Sequence, residues 1–297
     1  MIGVDGMMIN LNKVNKLVKK TVIATVSGVA LLTGLTFAGQ NKVNADCIND
    51  KIVMPDDSLG YTKGNLAHWR DDPIAKEQLK RASIVGMCYN DSHSDGDRAF
   101  TKHDRKVIDM KHLSGKDRRE LAHFALDVIN SARSAMNSKD WTYTSNAERF
   151  AMDTAKYYTQ DGAGNDDADH DVHAILKAAR KNGLRTDLGQ AYEDESGFNV
   201  EPHARYQTMW HAKLMLRFNI EQMLFGGWTS RKLQSDVYYH DLQDPKRYTE
   251  WDHANDLINR QQSEVGVAFS VRGDDEVSVH ILSVPRELIV HSSKYYR

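Results

Sequence analysis

The sequence predicts an α+β or α/β/α architecture, and three observations predict it. Four stretches of helical periodicity follow one another between Ser114 and Gly226, the period then switches to strict alternation after Glu264, and no internal repeat or long low-complexity stalk interrupts the order. Helices with one apolar face that precede alternating strands must bury those faces against a sheet.

Residues 1–45 stand apart. Lys13, Lys16, Lys19 and Lys20 precede a mostly apolar run from Thr21 to Gly39 and a small-residue sequence, Val43-Asn44-Ala45. Charged start, apolar middle and cleavage sequence together read as a secretory signal peptide, with cleavage near Ala45. The chain is therefore expected to be secreted or held at the cell surface. If the segment is retained, it is the one expected contact with a membrane, since its apolar run approaches spanning length. Asp46 before Cys47 argues against lipid attachment. Removing residues 1–45 takes away five lysines and one aspartate, which leaves 34 basic against 40 acidic side chains and a formal charge of −6. An acidic chain without a basic cluster lacks the electrostatic footprint of a nucleic-acid binder.

Residues 46–113 read as a mainly helical extension, with a turn at Pro55-Asp56-Asp57, a helix in IAKEQLKRASIVGM and a loop in NDSHSDGD. Cys47 and Cys88 are the two cysteines. In an exported protein they either form a disulfide, worth about 4 kcal/mol by loop closure, or remain free thiols.

From Ser114 the pattern sharpens. Ser114 and Asp117 resemble a capping box ahead of Leu121, Phe124, Ala125, Val128, Ile129 and Ala132; Ser145 and Glu148 form a second ahead of Ala147, Phe150, Ala151 and Tyr158. After an Asp/Gly-rich loop over 161–169, Val172, Ile175, Leu176 and Ala179 mark a third helix stopped by Gly183. Pro202 is placed near the first turn of a fourth, which carries Tyr206, Met209, Trp210, Leu216, Ile220 and Leu224 and ends at Gly226-Gly227. Val265, Val267, Phe269 and Val271, the turn RGDDE, and Val277, Val279 and Ile281 read as a β-hairpin. Arg272-Gly273-Asp274 spells an adhesion tripeptide, but here it reads as the polar turn of that hairpin.

The stretch DDADHDVHAILKAARKNGL gathers two histidines and four aspartates at the start of the third helix. An acidic helix start is favoured by the helix dipole on its own account. No serine sits in a G-x-S-x-G elbow, and neither H-E-x-x-H nor a Gly-rich phosphate loop occurs.

The segments ELAHFALDVINSAR, DHDVHAILKAARKNGL, AYEDESG, WDHANDLI and EVGVAFS, in this order, resemble the surface exclusion protein domain of Gram-positive bacteria. That domain in turn is similar to the CAP superfamily of cysteine-rich secretory, antigen five and pathogenesis-related proteins. YTKGNLAHW, EQLKRASIVGM and KVIDMKHLSG carry the resemblance into residues 46–113. It implies a three-layer α/β/α sandwich over residues 114–285, followed by a tail over 286–297, with a cleft that gathers two histidines and one or two glutamates. Carried over by motif, His170 is the first histidine, His253 the second, and Glu193 the strand glutamate, with Asp194 in place of the family's asparagine. Glu221 is the nearest candidate for a second glutamate, and His173 is expected on the surface or in packing.

Two neutral imidazoles with water make an open site for a divalent metal such as zinc, with Glu193 hydrogen-bonded behind one of them. The same residues also make a metal-free polar cluster. Trp210 and Trp251 are either cleft walls or core. The resemblance implies a non-enzymatic role in cell–cell contact or conjugative surface exclusion, with an unidentified surface or cell-wall partner. The alternatives are a metal-dependent hydrolase of peptide or cell wall with Glu193 as base, and a module that binds a small lipid or wall fragment. Larger members of the family carry a wall-sorting signal, whereas ELIVHSSKYYR has neither L-P-x-T-G nor an apolar tail. Covalent wall attachment is therefore not expected.

Overall fold

The structure is a computed structural model that describes residues 46–165, 167, 169–199, 204–226 and 242–297. Residues 1–45, where a signal peptide is expected, and Asp166, Pro202 and Gly227 lie outside the described residues.

A four-stranded sheet forms the middle layer: β2 (Thr142–Tyr143), β5 (Ser263–Arg272), β6 (Glu276–Pro285) and β3 (Glu193–Asn199) lie side by side in that order. β5 and β6 are the expected hairpin, antiparallel from Ser263 opposite Pro285 to Arg272 opposite Glu276. Gly273 takes a positive φ of 62° in the turn, and Arg272 pairs with Glu276 at 2.6 Å. The Arg-Gly-Asp tripeptide thus closes the hairpin. β3 adds antiparallel to β6, with Glu193 opposite Leu282 and Glu195 opposite His280.

Alternation along the hairpin divides the core in two. Val265, Val267, Val271, Val277, Val279 and Ile281 face one layer, built on α3 (Gly115–Ala135), α6 (Met209–Phe225) and α7 (Asp252–Asn259). Ala268, Leu282 and Val284 face the other, built on α4 (Ser145–Asp161) and α5 (Val172–Lys181). Both faces of the hairpin are therefore dry, and every residue of β6 is buried. This is the α/β/α sandwich expected from the sequence.

Local signals place the helix ends. Ser114 caps α3 by accepting from the Asp117 amide. The second start differs by one residue: Thr144, not Ser145, caps α4 by accepting from the Ala147 amide, and Glu148 pairs with Arg118 instead. Two adjacent hydroxyl residues offer the cap, and the one in extended backbone takes it. α6 begins later than expected. Thr208 caps it, and Tyr206 belongs to a short strand, β4 (Tyr206–Thr208), paired with β1 (Val107–Asp109).

Residues 46–113 share the main core. α1 (Lys63–His68) and α2 (Pro73–Asp91) contribute Leu66, Leu79, Ala82 and Met87 to the same cluster as the hairpin valines. Trp251 is core, with its indole N–H donating to Ser83, and Trp210 meets Phe100 edge-on. Cys47 and Cys88 are both free, so no disulfide joins them. Cys47 is instead buried beside Asp104, and burial with that carboxylate pushes its thiol up to about 12. A short helix, α8 (Ser292–Tyr295), packs Tyr295 under the α4 and α5 layer.

Candidate functional site

β3 is an edge strand, and a cleft of about 830 Å³ runs along it. Successive side chains of a strand point to opposite faces. Glu193 and Glu195 therefore reach toward α4, and Asp194 and Ser196 toward α6 and α7.

His170 arrives from the loop before α5, and the loop is tied down at several points. The Asn165 amide donates to Ser278 Oγ at 2.8 Å, Arg272 holds Asp167 at 3.0 Å, and the Asp171 amide donates to the Tyr158 hydroxyl at 2.8 Å. Gly197 lets this loop approach, because a Cβ there would sit 2.4 Å from the Val277 carbonyl oxygen and 2.7 Å from Asn165 Cβ. Asp171 caps α5 through the Ala174 amide, so part of the acidic cluster serves the helix start. His173 is exposed and paired with Asp161, as its position one turn on suggests.

His253 arrives from the start of α7. Glu250 accepts from the Asp252 amide at 2.8 Å, Asp252 pairs with Arg70, and Arg260 at the far end joins Asp256 and reaches the Ala191 carbonyl at 3.1 Å. The structure brings the His170 and His253 rings to 5.9 Å between centroids, across 82 intervening sequence positions.

Glu193 is the hub. Its Oε2 accepts from the Tyr158 hydroxyl at 2.6 Å and from His170 Nδ1 at 3.0 Å, and its Oε1 accepts from His280 Nδ1 at 2.7 Å. Burial alone would raise its pKa, but the bonds from His170 and His280 outweigh burial and hold the carboxylate below its usual range. For His170 the balance runs the same way: burial would lower it, yet Glu193 raises it overall. His253 rises to about 9, since Glu250, Asp194 and Asp256 overcome the opposing effect of burial. Asp194 and Glu195 each rise to about 7, first through burial, then through the charges of Asp256 and Glu193 respectively.

Several members of the site were not foreseen. Glu195, two residues along the strand, joins His170 and Glu193 in a group whose ligand atoms lie within 4.8 Å of one another. Tyr158 was counted only as helix packing. His280 was passed over, although the alternation of Val277, Val279 and Ile281 puts it on the opposite face. Glu221 does not enter the cleft: it lies 2.9 Å from Arg217 inside the α6 layer, and Gln222 lines the cleft instead. Trp210 and Trp251 are not among its lining residues.

Ser270 Oγ lies 2.8 Å from His280 Nε2, which with Glu193 completes a serine, histidine, glutamate order. All three are buried, and neither Ser270 nor His280 lines the cleft. The relay orients Glu193 beneath α4, with its serine buried away from this cleft.

No model of a known protein family matches the chain, and no curated protein matches it. Among solved structures, the CAP domain of Enterococcal PrgA matches with a TM-score of 0.58 over 81% of this chain and 88% of that chain. The chain has a CAP-like fold. Sequence identity in that match is 20%, so the likeness speaks for the fold, and the chemistry of the cleft rests on this chain's own side chains.

In the cleft, the group with close-set donor atoms is His170, Glu193 and Glu195, and His253 stands beside it without joining it. Glu193 accepts from Nδ1 of His170, which leaves Nε2 as the nitrogen for a ligand, and Glu250 lies 3.4 Å from Nδ1 of His253 in the same sense. Carboxylates placed behind imidazoles in this way fix ring orientation in metal sites. Glu195 Oε1 has no hydrogen-bond partner.

Proposed function

We propose that the chain is an exported, CAP-like cell-surface or secreted protein that works by contact, in cell–cell adhesion control or conjugative surface exclusion, and not by catalysis. The motif resemblance to surface exclusion domains supplies the class, and the state of Glu193 carries the choice against catalysis. A general base needs a free lone pair and a pKa near the working pH. Glu193 is poorly suited to that role, because three donors occupy three of its four lone-pair positions and its pKa is held low. The cleft on this reading organises the fold around β3, and His170, His253 and Glu195 are where a divalent ion such as zinc would be held.

One observation favours a second reading, a metal-dependent hydrolase of peptide or cell-wall material. Glu195 has an unpartnered oxygen and a pKa near 7, which transfers the role of candidate base from Glu193 to Glu195.

Glu195→Gln separates the two, since it keeps shape and removes the titrating group. In a mating assay with a recipient that expresses the protein, the contact reading expects exclusion to be unchanged. The hydrolase reading expects wild-type turnover of peptide or purified wall that falls by about a hundredfold in the variant. Turnover lost in this variant, together with lost exclusion, overturns the contact reading.

A further inference from the structure

The cleft has an unusual balance of donors and acceptors. Among the described residues, eight carboxylates line it and no lysine or arginine does. Three of its buried oxygens have no hydrogen-bond partner: Asp194 Oδ2, Glu195 Oε1 and Gln222 Oε1. Asp194 is 1% exposed and Gln222 is 6% exposed, so neither is satisfied by bulk water. A buried polar atom without a partner costs roughly 1–3 kcal/mol and calls for an explanation.

Asp194 and Gln222 lie on the α6 and α7 side of β3, away from the His170 group. Among the described residues, His253 is the basic side chain lining that side, and Arg260, whose charge also acts on Asp194, is engaged by Asp256. Among the described residues, the carboxylates here do not converge tightly enough to ligate one ion, in contrast with His170, Glu193 and Glu195. Spaced acceptors suit a ligand that brings several N–H donors and a positive charge. An ammonium group has three donors and no acceptor.

We propose that the α7 side of the cleft binds a primary ammonium group on a flexible chain, as in a lysine side chain of a peptide. Asp194 and Gln222 accept from the ammonium, and the surrounding carboxylates Glu250 and Asp256 supply the field that draws it in. The cleft volume lies within the range of small-ligand sites, and Met223 supplies an apolar surface on the same side for the aliphatic stem. This site does not depend on the exclusion reading, because it concerns what the cleft recognises and not what recognition achieves.

Calorimetry of the protein as cells produce it, with trilysine blocked at both termini, tests the proposal at about 0.15 M salt, where exposed charges are screened beyond ~8 Å. Saturable binding is expected, lost when the three side-chain amines are acetylated. Asp194→Asn is expected to weaken it at least roughly tenfold, because it removes a buried charged partner. Gln222→Leu removes the neutral acceptor at similar volume and carries the test if the first variant fails to fold; it is expected to weaken binding at least threefold, an effect on the order of one lost hydrogen bond. Asp161→Asn, on the exposed surface beside His173, is the control for diffuse charge. Equal binding of the acetylated peptide overturns the proposal, as does binding unchanged by substitution at both Asp194 and Gln222. Uptake of zinc ion without uptake of trilysine overturns it too.

Discussion

Two adjacent carboxylates of β3, Glu193 and Asp194, are treated in opposite ways. Toward α4, Glu193 receives three hydrogen bonds from Tyr158, His170 and His280 and stays ionised in complete burial. Toward α6 and α7, its neighbour Asp194 is as deeply buried, has an oxygen with no partner, and is pushed up to about 7. The residues are adjacent, and the pleat separates them. A buried charge is tolerable when donors are supplied and costly when they are not. Glu193 has thus been satisfied by the protein, whereas Asp194 Oδ2, like Glu195 Oε1 two residues from Glu193, has been left without a donor.

Exchanging each carboxylate for its amide breaks that comparison most sharply. Glu193→Gln places an amide N–H2 among donors, and it is expected to destabilise the protein by about 3 kcal/mol, the usual loss when one partner of a buried charged network goes. Asp194→Asn is expected to leave stability within about 1 kcal/mol or to raise it, since it removes a buried charge that lacks a matching donor. Urea unfolding of both variants measures the difference. Equal losses would mean that the two carboxylates are energetically alike.

The histidines sharpen it next. The pKa of His253 in the folded chain is raised to about 9, above the value near 6.5 of an unfolded chain. The sign follows from linkage: the stability contributed by protonated His253 is full below the unfolded value and is lost as pH rises through about 9. A divalent ion needs the neutral ring, so zinc occupancy is expected to rise with pH over that same window and to release protons on binding. His170→Ala and His253→Ala are each expected to abolish uptake. The two trends cross, and the unfolding midpoint followed with and without zinc from pH 6 to about 9 shows whether they do. Occupancy that is flat across the window would remove His253 from the ligand set.

How far the sequence could carry these conclusions depended on the kind of force involved. The helices and hairpin were legible because Leu121 to Ala132 and Val265 to Ile281 bury apolar faces, and burial leaves a period. Even the misplaced start of α4 was off by one residue, between two hydroxyls of similar capping power. β3 left no such trace. Glu-Asp-Glu-Ser-Gly-Phe-Asn shows no apolar alternation, and its burial depends on Tyr158, His170 and His280, partners 23 to 87 residues away in the chain. Glu193, His170 and His253 were found through motif resemblance, whereas Glu195 required only the rule that a strand repeats every second residue. Asp194 was noticed as a departure from the family's asparagine, but its orphaned oxygen is a property of the folded packing that no pattern in the sequence encodes.

The smallest effect probes how Glu193 is held. The Tyr158 hydroxyl has one proton for two glutamates, at 2.6 Å from Glu193 and 3.1 Å from Glu195, and the shorter distance assigns it to Glu193. The same oxygen accepts from the Asp171 amide, so it fastens the loop bearing His170 to the sheet. Tyr158→Phe keeps the ring against His280, where the centroids lie 4.5 Å apart, and deletes only the polar link. The expected loss is about 1 to 2 kcal/mol, one hydrogen bond plus an amide left without its acceptor. Because Glu193 keeps both imidazoles, His170 should stay protonated to a pH above 6.5, the usual histidine value, while hydrogen exchange at the Asp171 amide becomes faster. Exchange that stays slow in the variant would show that the loop is held by its contacts to Ser278 and Arg272, and that the hydroxyl serves Glu193 alone.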